Sequence, residues 1–338
     1  MYRPDKRKTI ALIYGGKGVE HRVSCLGKSY VKGLIDKEKY RILLVFIDQD
    51  GDWYIEKDDE KTPTYLSMTE EGGRLVTQKG TEKIDCAIPL LHGDFGEDGR
   101  IQGALDTLGI CYIGASALTG ALCSDKGYTK DIALSLGIPV ARYKRIKRGS
   151  PFSTLKDECE EFGYPLFIKP TSLGSSVGAH EIWCESDLEG IFDELEKLGT
   201  DLLIEELVED KRELEVGFFS ALGRTIITHP GEPKCQGFYD FEKKYSIKTS
   251  ITTVAEVDEG TKEKLAQYSR KLAERLGLRH LSRLDFFLSG EKILFNEINT
   301  FPGFTEASLY PRLIIEAGIE PHRLINDMIE DALCDRTL

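Results

Sequence analysis

An α/β fold that opens with a doubly wound, parallel-sheet domain is predicted from three observations. Three near-continuous apolar runs, Thr9-Ile-Ala-Leu-Ile-Tyr-Gly-Gly16, Arg41 to Asp48 and Ile84 to Leu91, have the character of strands covered on both faces. Between the first two, Val23, Leu26, Val31, Leu34 and Ile35 recur at helical spacing, so strand and helix alternate. At 338 residues the chain exceeds one ordinary core, which implies two or three domains. The parallel-sheet domain runs through about residue 115, and the polar, turn-rich residues 50–82 read as an excursion at its surface.

The totals narrow the function classes. With 41% hydrophobic and 30% charged residues the chain has the composition of a soluble globular protein. Its net charge of -12 argues against a general nucleic-acid binder, which needs a basic surface. No apolar run approaches the ~20 residues of a membrane span, and the first eight residues lead into a strand instead of a signal-peptide core, so a cytoplasmic location is expected. The eight cysteines form no Cys-x-x-Cys, and reduced, buried thiols are favoured over a disulfide framework or a zinc site.

The first glycine turn, Gly15-Gly-Lys-Gly-Val-Glu20, matches neither the dinucleotide fingerprint nor the Walker pattern, although a crevice at the strand ends suits a small ligand. Glu20 at the helix start either holds an amino group or complements the helix dipole. After the third run, His92-Gly-Asp-Phe-Gly-Glu-Asp-Gly-Arg-Ile-Gln-Gly103 is a loop of glycines and acids with little packing value, which favours a functional role.

Asp125-Lys-Gly-Tyr-Thr-Lys130 opens a helix that stops at Gly137, and a helix through Leu155, Cys159 and Phe162 ends at Gly163. Pro165 to Pro170 is a buried-type strand that delivers Lys169 beside Thr171-Ser-Leu-Gly-Ser-Ser-Val-Gly178. A lysine next to a loop rich in backbone amides is a phosphate-holding device. Ser186-Asp-Leu-Glu189 reads as a capping box, Leu202 to Val208 and Glu213 to Leu222 as strands, and 237–245 with the polar residues after it as a lid with aromatic anchors. Amphipathic helices follow at Gly260 to Leu276 and, through Leu324, Ile325, Met328, Ile329 and Leu333, at the tail.

Leu284 to Thr300 reads as a hairpin. With a three-residue loop, Ser289 to Glu291, Asp285 falls opposite Phe295 and shares a face with Glu297 and Asn299. With a two-residue loop it falls on the other face. Two carboxylates and an amide oxygen on one face suit Mg²⁺; the alternative is an edge hairpin with a solvated polar face.

Taken in order, Gly15-Gly...Glu20, His92-Gly-x-x-Gly-Glu-Asp-Gly, Asp125-Lys, Lys169-Pro...Gly174-Ser-Ser-Val-Gly, Phe238-Tyr-Asp...Lys244-Tyr245, Arg283-x-Asp285 and Asn296-Glu-Ile-Asn-Thr-x-Pro-Gly303 resemble the D-alanine:D-alanine ligases of the ATP-grasp superfamily. The resemblance spans nearly the whole chain. It implies three domains: a doubly wound substrate domain at 1–115, a small α+β domain at 116–208, and a catalytic α+β domain with an antiparallel sheet at 209–338, whose lid is the loop 235–255. By position, Lys126, Lys169, Ser176 and Lys244 would hold ATP phosphates, Glu205, Leu207 and Glu213 the adenine and ribose, and Asn296 would complete the ATP site. Asp285, Glu297 and Asn299 would bind Mg²⁺, with Mn²⁺ as the alternative ion. Glu20, Ser175, Tyr245, Arg283 and Gly303 would be catalytic, and His92, Ser308 and Leu309 would border the amino acids. The implied reaction joins two D-alanines through an acyl phosphate for peptidoglycan precursors, with D-serine as the runner-up second substrate and a homodimer as the expected assembly. Gly18, Ser124 and Phe241 depart from the usual family pattern. Tyr245 favours an amine acceptor over D-lactate.

Overall fold

The computed structural model describes residues 6–70, 72–233, 251–252 and 254–334. The apolar runs become β1 (Lys8–Gly15), followed by α1 (His21–Leu34) and β2 (Tyr40–Ile47). The excursion at 50–82 is itself sheet: β3 (Trp53–Lys57), β4 (Glu60–Thr69), β5 (Gly72–Thr77) and β6 (Gly80–Lys83) extend the parallel core by antiparallel pairing. Its polar composition reflects strands with one solvated face, as along β4, where exposed Lys61, Pro63 and Tyr65 alternate with the more covered Thr62, Thr64 and Leu66, which antiparallel sheets tolerate. The third run is β7 (Cys86–Leu90), leading through α2 (Arg100–Thr107) to β8 (Cys111–Tyr112). The strand order β6-β5-β4-β3-β2-β1-β7-β8 places β1 between two parallel neighbours, which is why seven of its eight residues are buried.

α3 (Ala117–Ser124) and α4 (Lys126–Ser135) come next, then a sheet of order β11-β10-β12-β9. Its parts are β9 (Tyr143–Ile146), α5 (Phe152–Phe162), β10 (Leu166–Pro170), β11 (His180–Ile182), α6 (Glu185–Lys197) and β12 (Leu202–Glu206). Leu155, Cys159, Leu188 and Leu195 cover one face of that sheet. The expected capping box is displaced: α6 starts at Glu185, and Asp187 accepts from the N–H groups of Trp183 and Cys184.

A third sheet, of order β14-β13-β17-β18, contains β13 (Arg212–Ala221) and β14 (Arg224–Ile227). The short pair β15 (Glu232–Pro233) and β16 (Ile251–Thr252) precedes α7 (Glu259–Leu276), and then come β17 (His280–Ser289) and β18 (Lys292–Asn299). Here α7 packs through Leu265 and Leu272 beside Cys123 of α3 and Ala133 of α4, against Leu284 and Phe295. Lastly α8 (Leu309–Glu316) and α9 (Pro321–Cys334) return to the first sheet, where Tyr310, Ile314, Leu324 and Met328 share a core with Ile10, Leu12 and Ile88. The chain's tail thereby fixes the first lobe against the third sheet.

The cysteines are only partly as expected. Among the described residues all are free thiols, but Cys86, Cys123 and Cys159 are buried whereas Cys184 and Cys334 are exposed.

The hairpin departs from its expected register and still reaches the expected face. Ser289 pairs with Lys292, so the loop is the two residues Gly290 and Glu291, and Phe286 pairs with Phe295. A bulge then intervenes: Asp285 pairs with Glu297, leaving Asn296 as the extra residue. The bulge restores the parity that the shorter loop removes, so Asp285 shares a face with Glu297 and Asn299 and not with Ile298, which is buried. Neither strand contains glycine at that point, so nothing in the sequence marked it.

Candidate active site

The open faces of the second and third sheets enclose a cleft of ≈ 960 Å³, including its mouth. Strand alternation aims the side chains into it. Along β10, Leu166 and Ile168 enter the helix-covered core, which turns Phe167 and Lys169 toward the cleft. On β12, Glu205 lies directly opposite Phe167 and therefore shares that face.

Lys169 Nζ lies 3.0 Å from Glu205 Oε2 and donates to Asn296 Oδ1 at 3.0 Å, so the bulged residue of the hairpin holds the lysine of the second sheet. Glu205 Oε1 lies 3.1 Å from Nζ of Lys130, whose side chain is wholly buried. Burial opposes the charge on Glu205, but the two lysines outweigh it and keep the carboxyl below its ordinary range. Burial likewise pushes Lys130 down to about 8, against the pull of Glu205.

Asp125 caps α4 by accepting from the N–H groups of Gly127 and Tyr128. That cap sets Lys126 on the first turn, where Nζ donates to Leu173 O at 2.7 Å and lies 3.4 Å from Glu297 Oε2. The loop after Lys169 bends through left-handed Ser175 and Ser176, with φ of 52° and 59°. Ser175 Oγ thereby reaches the first lobe and donates to Glu20 Oε1 at 2.5 Å. A Cβ on Gly93, which has a φ of +67°, would stand 2.5 Å from Glu20 Oε2 and push the carboxylate, whereas one on Gly174 would stand 3.3 Å from it.

His92 is buried, with Nδ1 3.0 Å from Phe301 O. A carbonyl cannot donate, so Nδ1 carries the proton and Nε2 is an acceptor; Nε2 has no hydrogen-bond partner among the described residues. Burial pushes the imidazole below its usual pKa although Glu20 opposes this. Nearby, Glu97 Oε1 accepts from Phe301 N–H at 3.0 Å, and burial together with the charge of Glu20 raises its pKa to about 8.

On the hairpin, Arg283 donates to both oxygens of Asp285, and its Nε is also 3.0 Å from Glu215 Oε2. Burial disfavours the guanidinium charge, yet Asp285 and Glu215 hold it well above the usual arginine range. Asn299 Nδ2 donates to Asp285 Oδ2 at 3.1 Å. Among the described residues no three His, Cys, Asp or Glu side chains form a metal cluster, so a cation here would draw on the Asn299 amide oxygen as well as two carboxylates. That all-oxygen set fits a hard divalent ion.

The remaining expected residues are placed less directly. Ser176, Leu207 and Glu213 line the cleft, Glu213 at 3.9 Å from Lys211. Ser308 Oγ accepts from Thr305 N–H and would stand 3.2 Å from a Cβ on Gly303, while Leu309 is buried at the start of α8. Lys244 and Tyr245, and the loop 235–255 apart from 251, 252, 254 and 255, lie outside the described residues. Sequence reasoning passed over Lys130 and Glu215. Lys130 follows Lys126 by four residues and shares its helix face, and Glu215 pairs with Asp285 across β13 and β17. Spacing carried the first signal, whereas the second needed the strand pairing.

A lysine-and-carboxylate cleft between two antiparallel sheets, bounded by a glycine-serine loop and joined to a parallel-sheet lobe, defines an ATP-grasp enzyme. The family model of the D-ala D-ala ligase N-terminus matches residues 9–115, and that of the D-ala D-ala ligase C-terminus matches residues 132–330. The chain belongs to the D-alanine–D-alanine ligase family. It is 35% identical to the D-alanine–D-alanine ligase of Chlorobium luteolum over 353 aligned positions, covering 96% of this chain and 97% of that one. Its fold matches D-alanyl-alanine synthetase A from Vibrio cholerae with a TM-score of 0.89 at 29% identity, covering 97% and 99% of the two chains. The ATP complex of D-alanine–D-alanine ligase from Bacillus anthracis matches with a TM-score of 0.75 at 26% identity, over 97% and 98%.

Proposed function

We propose that the protein uses ATP to join two D-alanines into D-alanyl-D-alanine, a peptidoglycan precursor, with residues 1–115 carrying the first amino acid, 116–208 the phosphate loop and 209–338 the catalytic hairpin. The observation that carries this reading is the Ser175–Glu20 contact of 2.5 Å, which supports reading Glu20 as the amino-acid-binding carboxylate beside a loop read as phosphate-holding. Glu20 accepts from the ammonium of the first D-alanine, and His92 Nε2 is a second buried acceptor at the same end of the site.

In the first step a carboxylate oxygen of the first D-alanine attacks the γ-phosphorus of ATP, and the bond to the β-bridging oxygen breaks to release ADP. In the second the amine of the second D-alanine attacks the acyl phosphate carbonyl, phosphate leaves with the C–O bonding pair, and the amine loses a proton. Both steps build negative charge on oxygen, so preorganised cations matter most. Lys126, Lys169 and Lys244 hold the phosphates under Ser176. Glu205, Leu207 and Glu213 seat the adenosine, and Asn296 orients Lys169. Arg283 and the N–H of Gly303 face the tetrahedral oxyanion, Ser308 and Leu309 border the second amino acid, and the family resemblance assigns Tyr245 a role with Ser175 and Glu20. Magnesium bound by Asp285, Glu297 and Asn299 would neutralise phosphate charge. The protein acts in the cytoplasm as a homodimer.

Phosphate release from ATP that requires D-alanine, with D-alanyl-D-alanine as the main product when D-alanine and D-serine compete at neutral pH, is the expected result. Release independent of D-alanine would overturn the reading, and a mixed D-alanyl-D-serine product would reassign the second substrate.

A further inference from the structure

Lys130 lies behind the cleft wall with its side chain wholly buried, and none of the roles above uses it. It lies one helical turn behind Lys126, has no exposed side-chain surface, and among the described residues meets one carboxylate within 4 Å, that of Glu205. Glu205 in turn is 2% exposed and spans two lysines, with Oε1 toward Lys130 and Oε2 toward Lys169. The two lysines are not equivalent. Lys169 borders the cleft, retains slight exposure and also binds Asn296, so a bound phosphate can draw it away; Lys130 is sealed off and cannot follow. A buried carboxylate deprived of its cation either takes a proton or moves toward water. The Tyr143 ring, whose residue pairs with Glu205 across β12 and β9, lies 5.8 Å from Lys130 Nζ and supplies a further weak attraction.

We propose that Lys130 is a positioning residue that keeps Glu205 ionised and aimed into the cleft once phosphates engage Lys169, so that Glu205 remains an acceptor for the exocyclic amino group of the purine. The inference rests on the reading of Glu205 as the adenine partner. Its consequence is base specificity: a purine bearing a 6-oxo group presents an acceptor where the ionised carboxylate is also an acceptor, and an unpaired buried polar group is a strong basis for rejection. A protonated or displaced Glu205 loses that discrimination.

The test compares ATP with GTP as phosphoryl donor, using D-alanine-dependent phosphate release by the full-length protein and its variants Lys130→Met, Lys130→Arg, Glu205→Gln and Lys130→Met/Glu205→Gln, with thermal melting of each. Lys130→Met is expected to raise KM for ATP by about tenfold with kcat changed by less than about threefold, and to lower the ATP-over-GTP preference by about tenfold. Glu205→Gln should lower the same preference, and the double variant should be no worse than Glu205→Gln alone, because the two residues act through one contact. Lys130→Arg should recover most of the preference. The double variant removes both buried charges and so remains informative where Lys130→Met melts early. A loss of preference in Glu205→Gln without one in Lys130→Met would overturn the positioning role while leaving the assignment of Glu205 intact. An unchanged preference in Glu205→Gln would overturn that assignment and the proposal together, and additive losses in the double variant would also overturn the proposal.

Discussion

Arg283 and Asp285 stand two residues apart on β17, point to the same face, and meet through two parallel hydrogen bonds, Nε to Oδ1 and Nη2 to Oδ2, each 2.8 Å. Strand alternation makes the pair adjacent, and Glu215 on the neighbouring strand, with Oε2 3.0 Å from Arg283 Nε, adds a second carboxylate beside the guanidinium. The fork cannot turn without breaking one of these contacts, so its remaining N–H groups have fixed directions. Lysine supplies the charge but not the fork. Arg283→Lys is therefore expected to lower kcat by about a hundredfold while the protein stays folded. Arg283→Met leaves two carboxylates without their cation and should also cost roughly 3–5 kcal/mol of stability. Steady-state kinetics with urea unfolding of both variants checks this, and equal stability of the two would contradict it.

Ser175, on the glycine-serine loop, reaches the first lobe through Glu20. A hydrogen bond to a charged acceptor contributes about 1.5–3 kcal/mol, which corresponds to roughly ten- to a hundredfold in a kinetic constant. Ser175→Ala should raise KM for the first D-alanine by that factor and leave the melting temperature nearly unchanged, because Ser175 is only partly buried and no core contact is lost. A variant whose KM for D-alanine is unaltered would remove Glu20–Ser175 from the amino-acid site.

Gly93 has two reasons to be glycine, a φ of +67° and a Cβ position 2.5 Å from Glu20 Oε2. Gly137, after α4, has a φ of +71° but open space around its Cβ. Alanine at either site carries the left-handed strain of about 1–2 kcal/mol, but only at Gly93 does it also push the carboxylate. Gly93→Ala should lose D-alanine-dependent turnover by at least about a hundredfold, and Gly137→Ala should retain it with a similar drop in melting temperature. Comparable activity in the two would show that backbone strain, not displacement of Glu20, is what alanine introduces.

Much of the fold was legible because its signals are local. The apolar runs of β1, β2 and β7 announce strands buried on both faces, and Asp125, Gly137 and Gly163 mark helix ends by capping chemistry. What escaped depended on pairing. The antiparallel extension β3–β6 read as a surface excursion because its strands carry many exposed polar residues, and the bulge at Asn296 carries no residue type of its own. At the site, Lys169, Asp285, Glu297 and Asn299 could be named from an ordered set of motifs. The partners that fix their charges could not. Lys130 and Glu215 lie on other elements, 75 or more positions from Glu205 and 68 from Arg283 in one direction or the other, and only folding brings them within 3.1 Å and 3.0 Å of those residues.

Glu97 gives the site a pH signature. Burial first, and then the negative charge of Glu20, raise its pKa from 4.5 to about 8, while the N–H of Phe301 opposes the rise. Between those two values the folded protein holds a proton that the unfolded chain has released. The sign follows from linkage: the stabilisation tied to this proton is fully present below the unfolded value and is lost as pH rises through about 8. Glu97→Gln keeps an oxygen for the Phe301 N–H and removes the titration. Urea unfolding from pH 5 to pH 9 should give the wild-type protein a stability that falls relative to Glu97→Gln as pH increases, with the variant the more stable of the two by pH 8. Because His92 and Asp94 titrate in both proteins, the difference between the curves isolates Glu97, and a constant difference across the range would mean that Glu97 is ionised throughout.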